Sequence, residues 1–224
     1  MRALAVAGTD TGVGKTVVTA ALAAAAQAQG ARVAVVKPAQ TGVDGAGPGD
    51  LDEVRRLTGI EDLHELARYP EPLAPATAAR RAGMAGLRAE VIAAAARDLA
   101  DRDLVLIEGA GGLLVRFDDG GDTLADVAWL LEAPVLVVSR PGLGALNHVA
   151  LTCAALDQRG LECPGVVIGA WPADPGLAEW CNLEDLPEYS GKPVLGRVPD
   201  GAAKLDPSAF ADGARDWIST KGLV

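Results

Sequence analysis

The sequence predicts an α/β protein whose mainly parallel sheet carries helices on both faces. Short apolar segments alternate with helical segments from the start of the chain. These apolar segments show no polar alternation, which is typical of strands buried on both faces of a parallel sheet. The glycine-rich and charged segments follow strands, at the edge where such sheets bind ligands. The 224 residues, half of them hydrophobic, suffice for one core, so residues 1–224 are interpreted as a single domain.

The strands are predicted where a short apolar run is bounded by glycine, proline or charge. They are Arg2–Ala7, Arg32–Val36, Leu104–Ile107, Val135–Ser139, Gly165–Ile168 and Val194–Val198.

The predicted helices separate these strands. The first is rich in alanine and ends at Gly30, the residue type that often terminates a helix. Thr41–Gly49 contains four glycines and a proline and is predicted to be a loop, and a proline-rich passage lies around Tyr69–Pro75. The helices are Lys15 to about Gln29, Asp50–Leu57, Ala89–Ala100, about Asn147 to Arg159, and Pro207–Ile218.

Charge and composition exclude several classes of protein. A net charge of −10 argues against binding to a nucleic-acid backbone. No apolar run approaches the roughly 18 residues of a membrane span, and the first residues lack the pattern of a signal peptide. Cys153, Cys163 and Cys181 are odd in number and lack metal-type spacing. We therefore expect a cytoplasmic protein with neither a nucleic-acid nor a membrane partner.

The sharpest motif is GTDTGVGKT, at Gly8–Thr16 between the first strand and the first helix. Its glycines allow backbone N–H groups to surround a phosphate at the helix N-terminus, while Lys15 reaches the terminal phosphates and Thr16 offers a hydroxyl to Mg²⁺. The motif departs from G-x-x-x-x-G-K-[ST], because Gly8 lies one residue further from the lysine. A tight turn with an exposed lysine is the alternative, but a cation there opposes the helix dipole. The predicted phosphate-binding residues are Gly12, Val13, Gly14, Lys15, Thr16 and Val17.

Charged residues in two further loops are candidates for the same site. Lys37 ends the second strand, which we expect beside the first strand; the alternative is a lysine that only extends to solvent. Glu108 ends the Leu104–Ile107 strand as a second Mg²⁺ ligand would, and the glycines after it permit close approach of a ligand. Asp50 is a third candidate around the metal. Glu108 as a turn carboxylate and Asp50 as a helix-start residue are the alternatives.

Five motifs together resemble the dethiobiotin synthetase family. The resemblance runs from about Gly8 to Gly201, and the combination of KPxxTG with EGAGG and LGxxNH is its specific part. The motifs are GTDTGVGKT, KPxxTG at Lys37–Gly42, the Asp50 helix, EGAGG at Glu108–Gly112 and LGALNH at Leu143–His148.

The resemblance implies a P-loop NTPase-like fold and a Mg²⁺-dependent ligase of biotin biosynthesis. Such enzymes close the ureido ring of dethiobiotin from 7,8-diaminopelargonic acid, CO₂ and a nucleoside triphosphate, through a carbamate and its phosphorylated form. Lys15 would then hold the β- and γ-phosphates and Lys37 the carbamate, while Thr11 and Thr41 bind the nascent ureido group. Lys37, Lys15 and Thr11 are thus the implied catalytic residues, and Thr16, Asp50 and Glu108 the implied surroundings of Mg²⁺.

The resemblance also implies nucleotide contacts beyond the P-loop and a homodimer. The substrate tail of relatives reaches the dimer mate, here at Gly144 and Asn147; Asn147 as a helix cap is the alternative. Where relatives place an asparagine that reads adenine, this chain has Gly169-Ala170-Trp171. Only backbone groups could read the base, so CTP or other triphosphates are expected to compete with ATP. The implied nucleotide contacts are Asp50, Glu108, Gly109, Ala110, Gly111, Gly169, Ala170, Val198, Pro199 and Asp200.

A partitioning-type switch ATPase that acts through dimerisation is the alternative function. Such ATPases usually carry a second lysine early in the loop, where this chain has Thr9 and Asp10, and they have no reason for KPxxTG. Several other residues are expected to be structural: His64 in a short charged surface helix, His148 at a helix start, and Trp129 and Trp217 in the core or an interface.

Overall fold

A computed structural model describes residues 2–223 as one seven-stranded sheet in the order β3-β2-β4-β1-β5-β6-β7. Every pairing between these strands is parallel, which confirms the predicted α/β class. The strands are β1 (Arg2–Gly8), β2 (Val33–Thr41), β3 (Leu63–Tyr69), β4 (Leu104–Gly112), β5 (Val135–Ser139), β6 (Val166–Trp171) and β7 (Val194–Pro199).

Eight α-helices cover the two faces of the sheet in the described part of the chain. One face packs against α1, α2 and α8, and the other against α3 to α7. None of these helices is long and apolar enough to span a bilayer. The helices are α1 (Lys15–Ala28), α2 (Asp50–Thr58), α3 (Pro75–Arg81), α4 (Ala89–Arg97), α5 (Leu124–Leu131), α6 (Ala145–Gln158), α7 (Leu177–Ser190) and α8 (Pro207–Trp217).

The strand β1 shows why the apolar runs carry no alternation. Leu4 and Val6 face the layer formed by α1, α2 and α8, whereas Ala5 and Ala7 face the opposite layer, and all four are buried. Because both faces are covered by helices, both sets of side chains must be apolar. Because β1, β4 and β2 pair in parallel as neighbours, their carboxyl ends meet at one edge of the sheet, where the buried polar residues Lys37 and Glu108 lie.

Several predictions about individual elements are wrong. The strand of Lys37 does not pair with β1, because β4 lies between them. His64 belongs to the edge strand β3 rather than to a short helix. Trp129 is 66% exposed, so a place in the core is wrong and a place in an interface stays a prediction, whereas Trp217 packs edge-on against Phe210 at 5.3 Å.

The helix α6 begins two residues earlier than the sequence indicates. Gly144 is its N-cap in the left-handed conformation, with φ of 89°, and Ala145 is the first helical residue. Asn147 therefore lies inside the first turn, which overturns its alternative reading as a helix cap. His148 lies in the same turn, as expected of a helix-start residue.

Candidate active site

A cavity of about 760 Å³ opens at the carboxyl ends of β1, β2 and β4. The P-loop, the start of α2 and the segment from Pro72 to Pro75 complete its walls. Most of the residues predicted for catalysis, phosphate binding and metal binding line this one cavity. They are Thr11, Gly12, Gly14, Lys15, Thr16, Val17, Lys37, Thr41, Asp50, Glu108, Ala110 and Gly111.

The P-loop turns back on itself between β1 and α1. Gly12 and Gly14 adopt φ values of 71° and 91°, a region that L side chains rarely occupy. The Asp10 carboxylate accepts a hydrogen bond from the Thr11 amide at 2.7 Å and forms an ion pair with Arg140 at the end of β5. The loop is thereby held open in the shape of an anion-binding turn.

Lys15 folds over this loop and is largely buried. Its Nζ donates to the Asp10 carbonyl oxygen at 3.1 Å, and no carboxylate of the described residues forms a salt bridge with it. Burial lowers the pKa of Lys15, and the neighbouring charge of Lys37 lowers it further. The ammonium group of Lys15 therefore has no anionic partner in direct contact among the described residues, as expected of a group that binds a phosphate.

Lys37 lies between two carboxylates. Its Nζ is 2.5 Å from Oδ2 of Asp50 and 2.8 Å from Oε1 of Glu108, and both Lys37 and Glu108 are buried. Burial alone lowers the pKa of Lys37, but the charges of Glu108 and Asp50 outweigh burial and raise it above its ordinary value. Lys37 is therefore a charged ammonium at neutral pH, fixed deep in the cavity.

The residues around Lys37 also supply the oxygen ligands that a hard cation such as Mg²⁺ prefers. The Thr16 hydroxyl donates to Oε1 of Glu108 at 2.9 Å, while Oε2 of Glu108 is buried and has no hydrogen-bond partner among the described residues. One ammonium against two carboxylates also leaves one negative charge unbalanced. No group of three or more His, Cys, Asp or Glu side chains forms a metal site in residues 2–223. A cation here would need further ligands from a bound phosphate, which is usual for Mg²⁺.

Two contributions to the cavity were missed by sequence reasoning. Gln40 is buried and its Oε1 accepts a hydrogen bond from the Asp50 amide at 2.8 Å, which ties the start of α2 to the end of β2. The only signal for it was its place inside KPxxTG. The segment from Pro72 to Pro75 forms one wall of the cavity, and the proline-rich sequence of this passage does not indicate a place in the site.

The residues predicted to contact the nucleobase lie outside this cavity, at the carboxyl ends of β6 and β7. Gly169 touches the P-loop so closely that a Cβ atom there would collide with the Val13 carbonyl oxygen, and a Cβ on Gly14 would lie 2.5 Å from the Gly169 oxygen. The Asp200 amide donates to the Trp171 carbonyl oxygen at 2.7 Å, which joins the two strand ends. Ala170, Val198 and Pro199 flank this junction.

Trp180, a large aromatic residue of α7, lies outside the cavity at the carboxyl ends of β1, β2 and β4. It stacks edge-on against Trp171 at 5.3 Å, and Arg197 lies over both rings. Gly144 and Asn147 are exposed at the start of α6 and also lie outside the cavity of their own chain.

Comparisons with known proteins agree on the family. A family model described as an AAA domain matches residues 2–207. The ATP-dependent dethiobiotin synthetase BioD of Streptomyces coelicolor is 59% identical over 220 residues, covering 98% of this chain and 92% of the relative. The enzyme of the same name from Saccharopolyspora erythraea is 62% identical over 220 residues, covering 98% of this chain and 96% of the relative.

Solved structures resemble the chain at the level of fold. A ParA family ATPase from Chlorobium tepidum has a TM-score of 0.61 at 14% identity, covering 96% of this chain and 98% of that one. The septum site-determining protein MinD from Pyrococcus horikoshii, complexed with Mg-ADP, has a TM-score of 0.57 at 18% identity, covering 97% and 86%. These likenesses confirm the P-loop NTPase-like fold and carry no further weight. By its sequence, the chain belongs to the ATP-dependent dethiobiotin synthetase family, a family of ligases.

Proposed function

We propose that this protein closes the ureido ring of dethiobiotin from 7,8-diaminopelargonic acid, CO₂ and a nucleoside triphosphate, as a step of biotin biosynthesis. The observation that carries the proposal is Lys37, a buried ammonium held by Asp50 and Glu108 in the cavity that also contains the P-loop lysine. The switch ATPases that are the alternative usually carry their second lysine early in the phosphate-binding loop, where this chain has Thr9 and Asp10, and not at the end of another strand.

The charge of the reactants explains why two lysines are needed. A carbamate is an anion, and it must approach a triphosphate that is also strongly negative. In an otherwise acidic protein, Lys15 and Lys37 together with a bound Mg²⁺ would concentrate positive charge where the two anions meet, since Asp50 and Glu108 offset the charges of the lysines alone. Such fixed charges stabilise the developing transition state without having to reorganise.

Positioning is the remaining task, since no protein nucleophile is required. One amine of the substrate adds to CO₂ and loses a proton to give a carbamate. A carbamate oxygen then attacks the γ-phosphorus and expels the diphosphate nucleotide, which leaves a carbamoyl phosphate. The second amine attacks the carbonyl carbon, expels inorganic phosphate and loses a proton as the ring closes. Lys37 would hold the carbamate and its phosphorylated form, with Thr11 and Thr41 bound to the ureido nitrogens and oxygen.

Mg²⁺ fits the donor set that the structure presents. Thr16, Asp50 and Glu108 would hold it, together with oxygens of the nucleotide, and the unpartnered Oε2 of Glu108 is an available ligand atom. When bound, the ion neutralises phosphate charge. Lys37 binds the same two carboxylates in this structure, so a cation held there would share these side chains with the ammonium group.

The nucleobase is proposed to be read loosely, so that CTP and other triphosphates compete with ATP. Gly169 offers no side chain to the base, and its contact with Val13 leaves no space for one. Only backbone groups near Gly169 and Ala170, and the Val198–Asp200 segment, remain to contact the base and ribose.

The protein is proposed to act as a cytoplasmic homodimer. Leu143, just before α6, and Leu151, within it, lie four residues on either side of Asn147 and are 83% and 62% exposed, and exposed apolar surface that is grouped in this way is typical of protein–protein contacts. A partner covering this stripe would bring its own cavity to Gly144 and Asn147, where the substrate tail is expected.

Phosphate release is the experiment that tests the proposal. Release from Mg·ATP and bicarbonate should depend on added 7,8-diaminopelargonic acid, and a parallel series with CTP measures base preference. Release that is indifferent to the diamine would overturn the proposal and favour the switch ATPase. A strict requirement for ATP would overturn only the expectation of loose base choice.

A further inference from the structure

Gln40 is a buried polar residue of the active-site cavity to which the proposed reaction assigns no part. Only 6% of its surface is exposed. Both ends of its side-chain amide are engaged: Oε1 accepts from the Asp50 amide at 2.8 Å, and Nε2 donates to the Thr41 carbonyl oxygen at 3.1 Å. One side chain therefore contacts the backbone of two residues proposed to hold the metal·nucleotide and the substrate.

The bond to Asp50 supplies something that α2 cannot supply for itself. The first amides of a helix have no partner within the helix, and a side chain at the N-cap usually provides one. The N-cap here is Gly49, which has no side chain, and Asp52 binds the Gly49 amide instead, at 2.7 Å. Gln40 caps the Asp50 amide from the neighbouring strand, so the helix start is fixed relative to β2.

This placement matters because β2 also carries Lys37. The strand therefore contacts Asp50, the first residue of α2, in two ways: through the ion pair with Lys37 and through the hydrogen bond with Gln40. A Cβ atom on Gly49 would lie 2.9 Å from the Gln40 oxygen, so the fit around the amide is tight.

The loop between β2 and α2 has little to order it without such contacts. It contains four glycines. Arg68 of β3 donates to the Gly47 carbonyl at 2.5 Å and to the Gly45 carbonyl at 3.3 Å, and Glu65 orients its guanidinium. Arg68 holds the middle of the loop, and Gln40 holds both of its ends.

We propose that Gln40 is a positioning residue, which sets the Asp50 carboxylate for the metal·nucleotide and the Thr41 backbone for the diamine. The inference rests on the proposed function, since it concerns how those ligands are held. Groups that orient a metal-site residue from behind typically change metal affinity or activity by about 10- to 100-fold when they are removed.

Three substitutions separate the two contacts in the full-length protein. Gln40→Met keeps the length and removes both hydrogen bonds, whereas Gln40→Glu keeps the acceptor for Asp50 and removes the donor to Thr41. Gly49→Ala should displace the amide by contact. Gln27→Met, at an exposed position of α1, is the matched control.

Affinity for Mn²⁺·nucleotide, measured by electron paramagnetic resonance titration, gives a readout that does not need turnover. It is expected to fall about tenfold in Gln40→Met and to stay within about threefold of wild type in Gln40→Glu. The KM for the diamine should rise in both. Gly49→Ala should weaken Mn²⁺·nucleotide binding in the wild-type background and have a smaller effect when added to Gln40→Met, because its Cβ meets the Gln40 oxygen at 2.9 Å before Arg68 Nη2 at 3.1 Å.

Two outcomes would overturn the inference. The first is a folded Gln40→Met protein whose Mn²⁺·nucleotide affinity and diamine KM match those of Gln27→Met. The second is a lowered Tm with both binding constants unchanged, which assigns Gln40 a purely structural part. Failure of the proposed function would look different: wild type would release phosphate without regard to the diamine, while the dependence of Mn²⁺·nucleotide binding on Gln40 persisted.

Discussion

Lys15 and Lys37 share one cavity and differ in what surrounds their charge. Lys15 has a single backbone carbonyl as its partner, and burial and the charge of Lys37 lower its pKa. Lys37 is buried more deeply, yet Glu108 and Asp50 raise its pKa. Carboxylates of the protein offset the charge of Lys37, whereas no carboxylate forms a salt bridge with Lys15 among the described residues. The difference supports the proposal that Lys15 binds the nucleotide and that Lys37 acts in the reaction.

Replacing Lys37 should have the largest effect on turnover. Lys37→Met is expected to reduce single-turnover phosphate release by roughly 10³-fold, as for loss of a fixed charge at a transition state, while nucleotide binding stays close to wild type. Lys204→Met, at an exposed lysine, is the control. Near-normal turnover would remove Lys37 from the mechanism.

Replacing Lys15 should affect a different quantity. Lys15→Met is expected to weaken nucleotide binding by about 100-fold, since a charge-assisted contact with phosphate is lost. Equilibrium titration with a fluorescent nucleotide measures it. Equal losses of affinity in Lys15→Met and Lys37→Met would break the distinction between the two lysines.

Asp50 sharpens the comparison, since of the two lysines it forms a salt bridge only with Lys37. Asp50→Asn keeps the shape and removes the charge, and we expect Mg²⁺·nucleotide affinity to fall about tenfold. Calorimetric titration with and without Mg²⁺ measures the change, with Asp98→Asn at an exposed helix end as the control. Affinity and activity equal to wild type would reduce Asp50 to a helix-start residue.

The smallest effect is on stability at alkaline pH. The folded pKa of Lys37 is raised above the ordinary value of 10.5, so its ion pairs stabilise the fold below that pH and the contribution is lost as pH rises through the folded pKa. The lowered pKa of Lys15 has the opposite sign. Urea unfolding should show the stability difference between wild type and Lys37→Met shrinking above about pH 10.5. A difference that is constant with pH would contradict the assignment.

The same contrast explains how much of the site the sequence could predict. The P-loop is contiguous and depends on backbone conformation, so its glycines and Lys15 mark it directly. The Lys37 cluster joins residues from three segments, with Lys37 and Glu108 separated by 71 positions. Their places at strand ends suggested that they meet, but the intervening β4 could not be foreseen without the order of the strands.

Sequence patterns did not predict β3 or the role of Gln40, for two separate physical reasons. The strand β3 lies at the sheet edge and is only half-buried over most of its length, so His64, Glu65 and Arg68 replace the apolar run that marks interior strands. Gln40 carries no charge, and its importance arises from Asp50, ten residues away in sequence and adjacent only after folding.

The contact between Gly169 and Val13 constrains any attempt to redesign the enzyme for a single nucleotide. Installing an amide side chain at position 169 would push the phosphate-binding backbone out of place before it read any base. If the base is read loosely, as proposed, variation that tightens the choice would have to arise at positions other than Gly169. A variant that distinguishes one nucleobase from another must therefore retain Gly169.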